Sequence, residues 1–194
     1  MKNQNLPDLI ANLFEFMENS GVNAIDFHMV YRGNEKLCSL LSPKISRYFI
    51  PIGEHSSRSL ICYWKHIDDA PLDKLPLVWL DSEGTPNSVF ASNEHDFLSL
   101  LPYDLGGIYD FISSWESYHE QPDNYTYPLE KYDSSALGCL IEICQEDNPD
   151  YTLFVQWLNQ SLGIKICENP AKLVGDAISR FPRLKPWLEK KGVR

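Results

Sequence analysis

Four short apolar segments in residues 48–92 constrain the fold most strongly, because each is too short for a stable helix and long enough for a strand. They read Tyr48-Phe49-Ile50-Pro51-Ile52-Gly53, Leu60-Ile61-Cys62-Tyr63-Trp64, Leu77-Val78-Trp79-Leu80-Asp81 and Val89-Phe90-Ala91-Ser92. Short apolar or alternating runs bounded by turn formers are typical of buried strands. The third run is apolar without alternation, which predicts a central strand covered on both faces.

Turn composition links these segments. Residues 81–87 are rich in Asp, Ser, Gly, Pro and Asn, so residues 77–81 and 88–91 are expected to form a hairpin. An earlier strand is predicted at residues 27–31. Residues 32–47 are polar and basic, with turn signals at Gly33-Asn34 and Ser42-Pro43.

Helical periodicity lies on both sides of the predicted strands. Apolar residues recur every three or four positions in residues 6–19, and a second short helix is predicted at residues 93–101, capped by Ser92 or Asn93. The sheet is expected to occupy residues of roughly 25–92 between these helices.

Residues 104–194 have a helical pattern. In residues 104–120 one broad face carries Leu105, Ile108, Phe111, Ile112, Trp115, Tyr118 and His119. A tyrosine-rich loop follows at residues 121–133, and three or more further helices are predicted after it. The expected fold class is therefore α+β, a mainly antiparallel sheet flanked by helices with an all-helical C-terminal extension. The expected domains are residues 1–103 and the extension, residues 104–194, packed on them.

The order of segments resembles the second half of the SUKH superfamily domain, which is shared by yeast cell-wall synthesis regulators and many bacterial toxin-immunity proteins. In that family a Pro-Ile-Gly strand is followed by strands that end in an apolar-apolar-Asp turn, and an Ala-Ser-…-Phe-Leu helix closes the sheet. The matching residues are Pro51-Ile52-Gly53, Leu80-Asp81 with its preceding apolar run, and Ala91-Ser92 with Phe97-Leu98.

The resemblance is weaker elsewhere. The family's Leu-Pro-x-x-Tyr/Phe helix and Asn-Gly-Gly turn have only partial counterparts in Gly33-Asn34 and Ser42-Pro43-Lys44. The C-terminal pattern, including Asn169-Pro170 and Phe181-Pro182, is similar to the helical tail of some longer bacterial members.

The resemblance implies a bacterial cytoplasmic immunity protein that binds a cognate toxin, in many such systems a nuclease, and occludes it without catalysis or a cofactor. Two other functions stay open. One is a cytoplasmic scaffold or regulator of the same fold, as for the yeast relatives, and the other is an enzyme of unrecognised type.

The charge pattern favours a basic protein partner. The net charge is −10, and residues 104–170 carry twelve acids against Lys131 and Lys165, whereas residues 171–194 carry two acids and seven bases. An acidic surface speeds encounter with a basic protein and disfavours nucleic acid. The alternative is that the acids serve only solubility.

The predicted partner surface lies on the polar face of residues 104–120 and in the loop after it. Its candidate residues are Tyr109, Asp110, Ser113, Glu116, Glu120, Asp123 and Tyr125. Tyrosine supplies buried area at low entropic cost and carboxylates pair with Lys or Arg, so this composition fits an interface. The alternative is an ordinary solvated helix face.

Catalytic and metal motifs are weak in this sequence. It contains no phosphate-binding loop, dinucleotide fingerprint or nucleophile elbow. His66-Ile67-Asp68-Asp69 is the nearest approach to a metal cluster, but the favoured interpretation is a strand end running into a solvated turn before Pro71. We expect no catalytic residue, no metal and no cofactor.

The cellular compartment is predicted from the cysteines, from the length of the apolar runs and from the first residues. Five cysteines lack Cys-x-x-Cys spacing and are expected to be buried, reduced side chains. No apolar run is long enough for a membrane span, and the first residues have no signal-peptide pattern. We therefore expect a cytoplasmic protein with no membrane association.

Overall fold

A five-stranded antiparallel sheet lies at the centre of the computed structural model, which describes residues 7–22, 26–30, 33–67 and 69–191. The strands pair in sequence order and are β1 His28–Met29, β2 Phe49–Glu54, β3 Leu60–Trp64, β4 Leu77–Leu80 and β5 Ser88–Ala91. The predicted hairpin is confirmed, since Val78 of β4 lies opposite Val89 of β5. The predicted strand at 27–31 is observed as β1, and Tyr31 lies outside the described residues.

Helices surround the sheet, which confirms the predicted α+β class with a helical C-terminal part. Two of them correspond to the predicted flanking helices, and Asn93 Oδ1 caps the second by accepting the Asp96 N–H at 2.9 Å. The helices are α1 Asp8–Ser20, α2 Gly33–Leu40, α3 Pro43–Ser46, α4 Glu94–Leu100, α5 Asp104–Glu120, α6 Pro128–Lys131, α7 Ser134–Asp147, α8 Tyr151–Leu162, α9 Pro170–Arg180 and α10 Leu184–Lys190.

The sheet is buried on both faces, as the unbroken apolar run of β4 predicts. Successive residues of a strand point to opposite faces, and the two faces carry separate apolar layers. The first layer contains Ile61, Tyr63 and Trp79 with side chains of α1, α4, α5 and α9. The second contains Cys62, Val78 and side chains of α2, α3, α9 and α10.

The region of residues 32–47 differs from the sequence prediction, because it forms α2 and α3 where turn signals dominated. The helical signal is the four-residue spacing of Leu37, Leu41 and Ile45, which are all buried against the second face of the sheet. Tertiary packing of this one apolar stripe outweighs the weak helical propensity of its polar surroundings.

Close packing explains the glycine of the Pro-Ile-Gly strand. The register of β2 against β3 shifts between Pro51 and Gly53. A Cβ atom at Gly53 would lie 1.9 Å from Phe27 Cε2, so the buried ring occupies the space that any side chain would need. The motif therefore serves packing between the strand and Phe27.

The C-terminal helices are part of the main core. Helix α9 packs on β5, the strand at one edge of the sheet, and on α5. Trp115 Nε1 of α5 donates to Ala171 O of α9 at 2.7 Å, and the indole lies against Gly175. The first apolar layer thus contains residues from both 1–103 and 104–194.

The α5–α9 contact predicts opposite effects for two helical glycines. A Cβ atom at Gly175 would lie 2.4 Å from Trp115 Cζ2, whereas nothing lies within 4 Å of one at Gly138 in α7. Overpacking of this kind costs about 1–3 kcal/mol. At an open helical site Gly→Ala instead stabilises by about 1 kcal/mol.

We expect Gly175→Ala to lower the midpoint of urea unfolding and Gly138→Ala, the matched control, to raise it. Equal midpoints for the two variants would contradict the close approach of α9 to Trp115.

Candidate functional site

The predicted polar stripe of α5 forms one wall of a cleft. Tyr109, Ser113, Glu116 and Glu120 face the β4–β5 loop and Lys185 of α10 across a space of about 310 Å³. Helical spacing places these four side chains on one face of α5. The structure therefore brings four of the candidate residues together at one concave surface.

Asp81 organises the loop on the opposite wall. Its Oδ1 accepts the Glu83 N–H at 2.8 Å, while its own N–H donates to Asn87 Oδ1 at 3.0 Å. Asn87 Nδ2 in turn donates to Gly84 O at 2.7 Å. The aspartate that ends the apolar run of β4 therefore shapes the loop between β4 and β5.

Glu116 is engaged within the protein. Its Oε1 accepts the Ser88 hydroxyl at 2.7 Å, its Oε2 pairs with the Arg183 guanidinium, and only 15% of the side chain is exposed. Glu120, with 54% of its side chain exposed, pairs with Lys185 Nζ at 3.0 Å. These carboxylates hold the residues around α10 against α5 and β5.

Tyr109 is half-buried, and the centroid of its ring lies 5.5 Å from that of Trp79.

Two basic residues of the C-terminal segment 171–194 lie beside two acids of α5, although they are far apart along the chain. Arg183 lies beside Glu116, and Lys185 lies beside Glu120. The acidic excess of residues 104–170 is partly neutralised at the cleft.

The remaining candidate residues lie away from these ion pairs. Asp110 is exposed on α5, and Asp123 is exposed in the turn Pro122–Asn124. Half of Tyr125 is exposed. We refer to residues 121–127, all exposed, as the tyrosine loop.

The tyrosine loop packs against aromatic side chains of α5. The ring of Tyr127 lies 5.5 Å from that of Trp115 and 5.2 Å from that of Tyr118. Trp115 is itself anchored by its hydrogen bond to α9. The loop therefore presents Asp123 and Tyr125 from a packed aromatic base.

His119 departs from the predicted apolar face. It is exposed, and its ring lies 5.5 Å from that of Trp115. Partial burial lowers the pKa of His119, and the nearby positive charge of Arg183 lowers it further. The imidazole therefore remains neutral to a lower pH than a free histidine.

A second polar cluster joins the segment before β1 to the loop between β2 and β3. His55 Nε2 lies 2.9 Å from Asp26 Oδ2, and His55 Nδ1 lies 2.7 Å from Ser57 Oγ. Because the Ser57 N–H also donates to Nδ1, at 3.2 Å, Nδ1 is the accepting nitrogen and Nε2–H points to Asp26. Ser57 Oγ–H then donates to a histidine oriented by a carboxylate.

Asp104, at the start of α5, interacts electrostatically with this cluster. Burial raises the pKa of Asp104, and the negative charge of Asp26 raises it further, while the hydrogen bond from the N–H of Leu105 opposes the shift. The sequence did not predict this arrangement, since Asp26 is about thirty residues before His55 and Ser57 and reaches them only through the fold.

The other polar candidates take structural positions. The His66 ring packs against Trp64 and Phe181, at 5.2 Å from each ring centroid, Asp69 is exposed, and Asp68 lies outside the described residues. Within the described residues, no cluster of three or more His, Cys, Asp or Glu side chains is placed to hold a metal ion.

The cysteine prediction is wrong for two residues. Cys38 and Cys139 are exposed, Cys167 is half-buried, and only Cys62 and Cys144 are buried. Cys38 and Cys139 lie on the outer faces of α2 and α7, where neither apolar layer reaches them.

Comparison with protein-family models, with curated proteins and with solved structures finds no match to this chain. None of the helices in the described ranges is both long and apolar enough to cross a membrane.

The two ion pairs of the cleft should differ in strength. In the Glu116–Arg183 pair, the carboxylate is largely shielded from solvent and also accepts a hydrogen bond from the Ser88 hydroxyl. In the Glu120–Lys185 pair, both side chains are about half exposed. Exposed pairs contribute about 0.2–1 kcal/mol, and hydrogen bonds to shielded charges contribute more.

Double-mutant cycles with Glu116→Gln and Arg183→Gln, and with Glu120→Gln and Lys185→Gln, should give a coupling energy of at least about 1 kcal/mol for the first pair. The second pair should give less. A larger coupling for Glu120–Lys185 would contradict the assignment of Glu116 as the anchor of the C-terminal segment.

Proposed function

We propose that this chain is a cytoplasmic immunity protein of the SUKH type, which binds a basic toxin and blocks it by occupancy. The observation that carries the proposal is the tyrosine loop, where Tyr125 is half exposed beside the exposed carboxylate of Asp123. Exposed tyrosines beside carboxylates are suited to a protein partner that carries Lys or Arg.

The fold supports the proposal. The Pro-Ile-Gly residues lie in β2, Asp81 directly follows β4, and Phe97-Leu98 lie in the helix that follows β5. These are the elements in which the resemblance to the SUKH domain places them. The positions of Gly53 against Phe27 and of Asp81 in its loop supply a physical reason for each motif.

The acids around the tyrosine loop support a basic partner. Further exposed carboxylates follow Asp123 along the chain, at Glu130 in α6 and at Glu142 and Glu146 in α7. Such a field accelerates association with a basic surface, while rings at the centre of the contact slow dissociation. Glu116 and Glu120 stabilise the C-terminal segment and contribute little to this contact directly.

Coexpression tests the proposal. The chain should restore growth to cells that produce the toxin encoded beside its gene, and the purified pair should bind. Tyr125→Ala should weaken binding by about 1–2 kcal/mol through faster dissociation, because truncation of a central ring removes buried area. Asp123→Lys should slow association and reduce its salt dependence.

Glu15→Lys is the matched control, since Glu15 is also exposed but lies on α1. It should bind as the unaltered chain does. Binding that is unaffected by both tyrosine-loop variants would overturn the assignment of this surface, and failure to restore growth would contradict the immunity function.

A second candidate function, nucleophilic hydrolysis, is favoured by the geometry of Asp26, His55 and Ser57. In this reaction Ser57 Oγ would attack an electrophilic acyl or phosphoryl centre while its proton passes to His55 Nδ1, and the bond to the leaving group would break as that proton is transferred to it. Water would then attack the acyl or phosphoryl group on Ser57, release the product and return the proton to Ser57 Oγ. Asp26 would stabilise the resulting imidazolium, as carboxylates do in serine-histidine-aspartate triads. The two functions make opposite predictions for a serine-reactive reagent.

A fluorophosphonate probe distinguishes the candidates. An immunity protein without catalysis should remain unlabelled, whereas a hydrolase should be labelled at Ser57. Labelling that is lost in Ser57→Ala and in His55→Ala, and retained in the control Ser135→Ala, would establish the second candidate. Absence of labelling in folded protein would contradict it.

A further inference from the structure

A basic and aromatic surface lies where the start of β2, the end of β3 and helix α10 meet, and the immunity function does not use it. A cleft of about 680 Å³ there is lined by Arg47, Tyr48, Lys65, Ile67, Asp69 and Ala70. We refer to these six residues, together with the adjoining Trp187 and Lys191, as the basic cleft. One lining residue is acidic and two are basic, in a chain whose net charge is −10.

The aromatic rings of the basic cleft are rigidly packed. Trp187 contacts Tyr48 edge to face, with ring centroids 5.2 Å apart at 88°, and contacts the buried Trp64 at 5.3 Å and 79°. The Lys65 N–H donates to Tyr48 O at 2.7 Å, which ties the end of β3 to the start of β2. These contacts hold the Tyr48 and Trp187 rings and the backbone of Lys65 in place.

Three cations surround these rings. The Arg47 guanidinium lies 4.9 Å from the Tyr48 ring centroid and donates to its hydroxyl at 2.8 Å, and Lys191 Nζ lies 5.2 Å from the same ring. Lys65 is exposed beside them. Among the described residues, none of the three forms an ion pair with a carboxylate, in contrast to Lys74, Lys172, Arg183 and Lys185.

The cleft also has an apolar part. Ile67 has 58% of its surface exposed, which makes it the most exposed of the large apolar residues in the described ranges. A ligand that fills the cleft would meet cations from Arg47 and Lys65 and an aliphatic contact from Ile67. Both features together point to a ligand that is anionic and partly aliphatic.

We propose that the basic cleft binds an acidic segment of a partner protein, one in which carboxylates alternate with aliphatic side chains. The carboxylates would pair with Arg47 and Lys65, and an aliphatic side chain would contact Ile67. A planar guanidinium donates two parallel hydrogen bonds to a carboxylate, which gives the contact its direction.

Nucleic acid fits this surface less well. Single-stranded nucleic acid requires open aromatic faces on which bases stack, whereas the Tyr48 ring already has Arg47 and Lys191 against it. A long polyanion is also repelled by the overall negative charge, while a short acidic segment meets only the local positive field.

Fluorescence anisotropy with a labelled peptide of alternating Glu and Leu tests the proposal. The peptide should bind the full chain, and more tightly than a poly-Glu peptide of equal length does. Its affinity should fall as the salt concentration is raised. Arg47→Gln combined with Lys65→Gln should reduce affinity about tenfold or more, because two charge-assisted contacts are lost. Ile67→Ser should reduce the preference for the Leu-containing peptide.

Two control double variants separate a specific loss of binding from misfolding and from a change in net charge. Arg47→Lys with Lys65→Arg retains both charges and should retain most of the affinity. Lys74→Gln with Lys172→Gln removes the same total charge from bases that are already paired, and should bind as the unaltered chain does.

Equal loss in this control would overturn the proposal, as would no binding of either peptide. Tighter binding of a thymidine oligonucleotide that also depends on Arg47 and Lys65 would replace the acidic segment with single-stranded nucleic acid.

Discussion

The contact between Trp115 and the backbone of α9 is the interaction on which the rest of the structure depends. The indole donates to Ala171 O and fills the space above Gly175, so α5 and α9 approach each other closely. Helix α9 in turn lies along the edge strand β5 and contributes to both apolar layers of the sheet. An exposed edge strand invites pairing with other chains, and α9 covers this one.

Docking of α9 also determines the electrostatics of the surface. It brings Arg183 and Lys185 to Glu116 and Glu120, so that acids and bases far apart along the chain cancel locally. It also positions α10, whose Trp187 and Lys191 complete the basic cleft. One packing event thus leaves two surfaces of opposite character, the acidic tyrosine loop and the basic cleft, on a protein of net charge −10.

Local patterns predicted most of the fold. The unbroken apolar run of β4, the turn residues after Asp81 and the cap at Asn93 each determine their own segment, and the structure contains all three elements. Helix α2 escaped prediction because Gly33-Asn34 is a strong turn signal, whereas the buried stripe that begins at Leu37 is short and surrounded by polar residues.

The candidate site was predictable only in part. Helical spacing is enough to align Tyr109, Ser113, Glu116 and Glu120 on one wall of a cleft. It cannot reveal which carboxylates are already paired, since the partners of Glu116 and Glu120 lie more than sixty residues away. The clusters around His55 and around Tyr48 are likewise assembled by tertiary contacts between loops and helix ends, for which no short sequence pattern exists.

Native-state hydrogen exchange tests most directly the claim that the C-terminal helices complete the core. The amides of α9 should open with the same free energy as those of β3, β4 and α5, because one cooperative unit buries all of them. These opening free energies should fall together as mild denaturant is added. Exchange of α9 at a much lower free energy than the central strands would contradict the claim, since the helix would then open while the sheet remained folded.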